Sequence, residues 1–487
     1  MFNLSDTICA ICTPPGTGGI TAIRISGHDS WDIAKKIFTR SNQDKELANN
    51  FQEHSRDCHV AAPQLLAMTH PPSLSFIHMH ALHGFIKDPD KDEVLDEVVL
   101  LPFKSPHSYT CEDTIEIFCH GNTHIASTIL DLCLQNGARR AKAGEFTFRA
   151  FINGRIDLTE AEAVNELIHA DSARSIQAAS NILQGSLKEK VKSFREELFN
   201  LITVIESTIE FPQDVAPIQS NEIVTELNQI KFNIDNLIER SKEGQLLREG
   251  IKISIIGTPN VGKSSLLNQL LENQRAIVTN EPGTTRDTLE EKITIDGWSV
   301  VLVDTAGIRH EANLNESEKL GIERSKSALE ISDLALILFD ITKDLASYTE
   351  QLLILSNGKP KIIIGNKIDL LTEQTDKTNQ YDIAISAKYG TNIDKLKELI
   401  SKKIKSLCNT KTNHSANLIY INQRQKELLI QCNSSIGFAL DLAKQNVTED
   451  IIADELKKAV SKLDEVAGRI LNEDIISNIF AKFCIGK

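Results

Sequence analysis

"IKISIIGTPNVGKSSLLNQLL", residues 251–271, decides the fold of the central part of the chain. An apolar strand runs into Gly257; four residues later come Gly262-Lys263-Ser264 and a helix. Strand, glycine-rich loop and helix in that order make the spacing a phosphate-binding loop. Backbone N–H groups at the helix N-terminus cradle phosphate oxygens. Lys263 neutralises their charge and Ser264 ligates magnesium. Asn260, Val261, Gly262, Lys263, Ser264 and Ser265 are therefore candidate nucleotide contacts.

Three more stretches narrow the nucleotide. In "VVLVDTAGIRH" (300–310) Asp304 ends a strand where a magnesium-organising carboxylate belongs, followed by Thr305, Ala306 and Gly307. "IIIGNKID" (362–369) places Asn366, Lys367 and Asp369 after another strand. Asp369 can accept from both N1–H and the 2-amino group of guanine, a donor pair that adenine lacks. "SAK" supplies Ser386, Ala387 and Lys388, with the Ala387 N–H available to the guanine carbonyl. GTP is the expected nucleotide.

Many guanine-nucleotide hydrolases place Gln after the Gly of this strand-end motif to hold the attacking water. Here the residue is Ile308, so the catalytic group must come from elsewhere. In "VTNEPGTTRD" (278–287) Thr285 reads as the switch threonine on magnesium, and Arg286 as either an arginine finger in cis or a structural arginine. In "NLNESEKLGIERS" (313–325) Glu316 and Glu318 can orient water or simply form a solvated acidic loop.

The surrounding chain falls into three textures. Residues 1–153 mix short alternating strands, "GITAIRIS" and "TIEIFCH", with Pro/Gly turns. From 154 the pattern is helical, and Thr159 with Glu162 reads as a capping box that starts a helix. Leu187, Val191, Phe194, Leu198, Leu201 and Ile205 form one apolar stripe. "EFPQD" (210–214) ends it at Pro212, and Ile223, Leu227, Ile230, Ile234 and Leu237 form a second. Residues 250–408 alternate strand, loop and helix as a parallel α/β sheet does. Helices resume over 409–487 with a stripe of Ile452, Leu456, Val460, Leu463, Ala467 and Ile470. The two helical pieces, 154–249 and 409–487, are expected to pack together, with the α/β domain inserted between them. The expected class is multidomain: an N-terminal α+β domain, a discontinuous all-α domain and an inserted P-loop α/β domain.

Composition sets the limits. With 487 residues, 41% hydrophobic and 25% charged, the chain reads as soluble and globular. No basic residue precedes Arg24 and no apolar run nears the roughly 18 residues of a membrane span, so a cytoplasmic protein without a membrane contact is expected. Nine cysteines, an odd number, suggest reduced thiols. A net charge of −14 argues against holding nucleic acid by this chain's own charge. Cys9 and Cys12 lack a second pair for zinc, and His78, His80 and His83 lack a completing ligand nearby in sequence.

"GTPNVGKSS", "EPGTTRD", "DTAGI", "LGIERS" and "NKID" carry a resemblance, as do "TPPGTGG" (13–19), "PHSYTCED" (106–113), "GEFTFRAFINGRIDLTEAEAV" (144–164), "EFPQD" and "FCIGK" (483–487). From about residue 6 to Lys487 the sequence resembles the MnmE (TrmE) family of tRNA-modification GTPases. The resemblance implies a folate-binding, dimer-forming N-terminal domain, 1–153, in a homodimer. It implies hydrolysis when two G domains meet, with potassium in place of an arginine finger. Asn260, Thr279, Glu281 and Thr284 would surround that potassium, and the whole stretch Thr279, Asn280, Glu281, Pro282, Gly283, Thr284 and Thr285 would contact nucleotide. Magnesium would sit on Ser264 and Thr285. The catalytic glutamate falls on Glu318, with Glu316 as rival.

Arg24, Glu116, Arg155 and Lys487 would hold a reduced folate, 5-formyl- or methylenetetrahydrofolate; Cys484 lies near it as a candidate reactive or orienting thiol. A flavoprotein of the MnmG (GidA) type, carrying FAD and NADH, would join in a heterotetramer or larger complex. Together they would add a (carboxymethyl)aminomethyl group to C5 of the wobble uridine of certain tRNAs. Two departures stand out: Thr17 replaces the Arg of a Gly-Arg-Gly-Gly pattern, and Cys111 stands where Gly is usual. The alternative is a ribosome-assembly or regulatory GTPase switch, which would fit the G domain but not the N-terminal domain or the Cys-Ile-Gly-Lys tail.

Overall fold

The computed structural model describes residues 3–41, 78–91, 93–216, 218–272, 291–303, 326–343, 356, 358–371, 381–407, 419, 421–470 and 473–487. The chain divides into two compact units, Met1–Asn165 with Ala467–Lys487, and Glu166–Val466.

The first unit is built on a sheet of β1 (Ile8–Ile11), β2 (Ile20–Ser26), β3 (Phe38–Arg40), β4 (Leu82–Asp88), β5 (Glu93–Phe103), β6 (Thr114–His120) and β7 (Arg139–Arg140), in the order β3-β4-β5-β6-β2-β1-β7. All pairs are antiparallel except β1 with β7. Side chains alternate across a strand. Ile23, Ile25, Ile115 and Ile117 are buried with residues of α1 (Ser30–Ile37) and α2 (Thr123–Gln135). Between them in sequence stand Arg24 and Glu116, cross-strand partners in the β2–β6 register.

A second core of this unit joins Phe148 and Phe151 of α3 (Glu145–Ile152) to Leu158 of α4 (Leu158–His169) and to Ile476, Phe480 and Phe483 from the far end of the chain. The helix expected near residue 159 is present, but its cap is not Thr159 with Glu162. The Asp157 carboxylate accepts from Glu160 N–H and Thr159 Oγ, while Glu160 Oε2 accepts from Asp157 N–H. The reciprocal box is therefore Asp157–Glu160, and Thr159 lies inside the helix. Both pairs share the same spacing, so the short carboxylate won over the hydroxyl two residues on.

In the second unit, α5 (Ala173–Leu183), α6 (Ser186–Glu210) and α7 (Ser220–Glu249) precede a six-stranded sheet, and α10 (Gln423–Lys444) and α11 (Glu449–Ala467) follow it. All six stripe residues of α6 and all five of α7 are buried, each aliphatic or aromatic side chain worth about 1.5–3 kcal/mol against exposure. The α11 stripe stops short of expectation. The helix ends at Ala467, Gly468 turns the chain at φ +76°, and Ile470 is 49% exposed.

The sheet runs β13-β12-β11-β8-β10-β9, formed by β8 (Ile251–Gly257), β9 (Glu291–Ile295), β10 (Trp298–Val303), β11 (Leu334–Asp340), β12 (Lys361–Asn366) and β13 (Ile383–Ile385). It is parallel except for the β9–β10 edge hairpin. β10 is buried at every position and β11 at all but its last, as expected of strands covered on both faces. α8 (Lys263–Glu272) and α9 (Ile393–Leu407) supply Leu266, Leu270, Leu396 and Ile400 to its core. α12 (Glu473–Phe480) belongs to the first unit.

Candidate functional site

The phosphate-binding loop joins β8 to α8 as the spacing requires. Gly262 takes φ +103°, and a Cβ there would collide with the Asn366 amide. Asn260 is exposed in the left-handed region at φ +61°, a conformation Asn tolerates better than most residues. Lys263 is buried, its ammonium donating to the Gly257 and Thr258 carbonyls at 2.9 and 3.1 Å. Those bonds hold the lysine inside the loop. Ser264 is half-buried on the first turn of α8, and Ser265 is exposed.

The base side closes against this loop. Asn366 Nδ2 donates to the Val261 carbonyl at 2.7 Å, tying the end of β12 to the phosphate loop. Its Oδ1 accepts from the Ala387 N–H at 2.9 Å. The donor that the sequence reading gives to the guanine carbonyl is thus shared with Asn366. Ser386 Oγ donates to Asp369 Oδ1 at 2.5 Å and orients that exposed carboxylate. Lys367, at φ +71°, pairs with Asp340 at 2.7 Å. Lys388 is exposed, its ammonium 5.1 Å from the Tyr389 ring centre. Thus Asn260 to Ser265, Asn366, Lys367, Asp369 and Ser386 to Lys388 converge at the C-terminal ends of β8, β12 and β13. Thr279 through Arg286, Asp304 through Ile308, Glu316 and Glu318 lie outside the described residues.

A second constellation occupies the first unit. Arg24 bonds Glu116 Oε1 through Nε at 2.9 Å and Nη2 at 2.8 Å, both side chains largely buried. The Arg24 guanidinium lies 4.9 Å from the Tyr109 ring centre and 5.4 Å from that of Phe146, and its Nη1 is buried without a hydrogen-bond partner. Arg155 reaches the same ring at 4.8 Å and donates to the Tyr109 carbonyl at 2.9 Å. A tyrosine flanked by two guanidiniums, with an unpaired buried N–H beside it, is an anion-seeking surface with an aromatic wall.

Burial pushes the Cys12 thiol up, with Arg24, Glu116 and Lys487 near enough to be felt. The tail is seated by Gly486, whose missing Cβ leaves room for the Ile11 carbonyl and the Cys12 Cα. Cys484 is exposed, and its carbonyl accepts from Gly144 N–H and Lys487 N–H. Arg24 and Arg155 are brought to one ring, Glu116 to Arg24, and Lys487 to the surroundings of Cys12 beside them.

Sequence reasoning missed Tyr109, Phe146 and Asp340. The two aromatics stand in the quoted stretches 106–113 and 144–164, but nothing in those stretches marks them as a wall for Arg24. Asp340 ends β11 as Asp304 follows β10, so the same strand-end rule could have found it. A buried network also escaped notice. Fully buried Arg149 bonds both carboxylate oxygens of Glu112 at 3.0–3.1 Å and fully buried Glu145 at 3.3 Å; Glu145 in turn is held by Arg139 at 2.6 Å. Through Glu112, Ser26 and Thr110 it anchors the loop that carries Tyr109. Among the described residues, no group of three His, Cys, Asp or Glu could hold a metal ion, and no helix is long and apolar enough to cross a membrane.

Two family models match the chain: "GTP-binding protein TrmE N-terminus" over residues 7–155 and "MnmE helical domain" over residues 158–484. Curated relatives named "tRNA modification GTPase MnmE" are similar over full length. That of Moorella thermoacetica is 38% identical, covering 99% of this chain and all of its own. That of Thermotoga petrophila is 37% identical with the same coverage. A solved structure of Era with MgGDPNP and a 16S ribosomal RNA fragment is 27% identical over 38% of this chain and 66% of that chain, with a TM-score of 0.25. The match to the tRNA modification enzymes runs through the N-terminal and helical parts as well as the GTP-binding segment, which an assembly switch sharing only the latter would not give. The chain belongs to the MnmE family of tRNA modification GTPases.

Proposed function

We propose that this GTPase is potassium-stimulated and works with an MnmG-type flavoprotein carrying FAD and NADH. Together they add a (carboxymethyl)aminomethyl group to C5 of the wobble uridine of certain tRNAs, with the one-carbon unit drawn from a tetrahydrofolate. The observation that carries this reading is the coexistence, in one chain, of a guanine-type pocket and a separate cationic–aromatic site around Arg24, Glu116, Tyr109 and Arg155. The working form is a homodimer in the cytoplasm, joined by the flavoprotein in a larger complex. The proposed domains are 1–153 for folate and dimerisation, 154–249 and 409–487 for the helical domain, and 250–408 for the G domain.

The chain's residues divide the work. Asp369 accepts from the guanine donors, the Ala387 N–H meets the guanine carbonyl, and Lys263 moves from its loop carbonyls to the phosphates. Ser264 and Thr285 hold magnesium, which supplies charge neutralisation on the phosphates. Asn260, Thr279, Glu281 and Thr284 hold potassium, which offsets charge developing on the leaving phosphate. Glu318 orients water when two G domains meet. In the first unit, the Arg24–Glu116 pair offers an acceptor to pterin donors and a spare guanidinium N–H. Arg155 and Lys487 suit the acidic tail, and Cys484 stands beside the site as an orienting thiol. GTP hydrolysis drives rearrangement rather than entering the modification chemistry.

Nucleoside analysis of tRNA from cells with and without this gene tests the reading. Loss of the C5 modification is expected, and unchanged modification overturns it. Faster hydrolysis in potassium than in sodium is expected; equal rates refute the cation assignment.

A further inference from the structure

Asp340 has no place in the nucleotide contacts above, yet it is built into their support. Its Oδ1 accepts from Thr342 N–H at 3.1 Å and Thr342 Oγ at 2.6 Å, so the carboxylate is fixed by its own turn. Its Oδ2 accepts from the Lys367 ammonium at 2.7 Å, with the carboxylate 7% and the lysine 29% exposed. The same turn grips the preceding residue through the backbone: Asp340 is the register partner of Asn366, and Ile341 N–H donates to the Asn366 carbonyl at 3.0 Å. Burial raises the Asp340 carboxyl, but hydrogen bonds from Lys367 and Thr342 outweigh it and leave it below its ordinary value. The group is an ionised, pre-oriented acceptor.

We infer that Asp340 is a positioning residue for guanine-nucleotide binding, acting through Lys367. A lysine carries large rotamer freedom on a flexible stem. Ordering it only when nucleotide arrives would subtract from affinity, whereas a lysine held beforehand has lost that freedom already. The Asp340 carboxylate holds the ammonium at the end of β12, so the Lys367 stem is in place beside the turn that carries Asp369. The inference rests on the assignment of Lys367 to the base side of the pocket, and the test separates the two.

The experiment measures dissociation constants of a fluorescent GDP, and steady-state GTP hydrolysis, for the full chain and for D340A, D340N, K367A and D340A/K367A. D340A and K367A are each expected to weaken GDP about tenfold, and the double variant no further than K367A alone, the non-additivity of residues acting as one unit. KM for GTP should rise while kcat stays within about twofold, because uniform binding is what is lost. The preference for GDP over IDP should persist in D340A, since Asp369 supplies it. D340N keeps the shape without the charge; it should weaken binding less than D340A, and it stands in if D340A does not fold. Wild-type affinity in D340A and D340N, or additive losses in the double variant, overturns the positioning role alone. Wild-type affinity in K367A overturns the base-side assignment of Lys367 and the positioning role with it.

Discussion

Cys111 occupies a left-handed backbone conformation, φ +60°, in the loop that carries Tyr109. An L-residue there meets a steric penalty of roughly 1–2 kcal/mol, part of which glycine returns through its greater freedom when unfolded. Cys111→Gly should therefore raise stability by about 1 kcal/mol, read as a higher urea midpoint. A lower midpoint would show that the thiol makes contacts outweighing the strain. The departure from a usual glycine was legible in sequence as a question about turn geometry, and the backbone answers it: the turn is kept.

Glu145 offers the pH counterpart. Burial raises its carboxyl, but hydrogen bonds from Arg139 and the Lys142 N–H, with the nearby charges of Arg139 and Arg149, bring the net value below that of a free glutamate. A carboxyl depressed on folding contributes stability above its unfolded value, roughly pH 4.3, and that contribution is lost as pH falls through the lower folded value. Stability should therefore fall as the solution is acidified below about pH 4. Glu145→Gln should cost about 3 kcal/mol at neutral pH, since it removes the buried charge shared by Arg139 and Arg149 and leaves Arg149 with Glu112 as its one carboxylate partner among the described residues, and should flatten the acid limb in urea titrations at stepped pH. An unchanged acid limb would place the acid sensitivity elsewhere. The Glu145–Arg149 pair is an i,i+4 spacing that the helix itself offers, but Glu112 joins Arg149 only through tertiary folding, across 37 residues.

At the scale of elements, periodicity was readable, as was the end of α6 at Glu210 ahead of Pro212, whereas the cap of α4 and the end of α11 were not. The stripes of α6 and α7 are buried at every expected position because a helix of fixed pitch leaves no other face for them. Their ends depend on single residues competing for the same groups. Asp157, not Thr159, caps α4, so Asp157→Ala should destabilise the first unit by about 1 kcal/mol; a neutral change in the thermal midpoint would return the cap to Thr159. The end of α11 is set by Gly468, whose Cβ would lie 2.7 Å from the Leu158 Cβ at φ +76°. Gly468→Ala combines that overlap with left-handed strain and should cost about 2 kcal/mol or more. The strand-end pocket was legible because its residues are held by strand–loop–helix units adjacent in sequence. The pairing of Arg24 with Glu116 was not, since it depends on register between strands 92 residues apart.

At the scale of the whole molecule, the chain's last residues belong with its first. Ile476, Phe480 and Phe483 complete the core under α3 and α4. Gly486 lies against β1, where a Cβ would fall 2.5 Å from the Ile11 carbonyl oxygen and only a hydrogen fits. The described residues of the candidate nucleotide pocket, among them Lys263, Asn366 and Ala387, belong to the other unit. A lesion at the tail should therefore separate the two proposed activities. Gly486→Val adds a branched side chain at φ +96°, displacing the tail and with it Lys487 from the surroundings of Cys12, Arg24 and Glu116. Binding of 5-formyltetrahydrofolate, followed by calorimetry, should weaken about tenfold or more, on the scale of a lost charge-assisted contact. GTP affinity should stay within about twofold, since none of its described contacts lies in that unit. Retained folate affinity would detach the tail from the folate site, and a parallel loss of GTP affinity would show that the two units are energetically coupled.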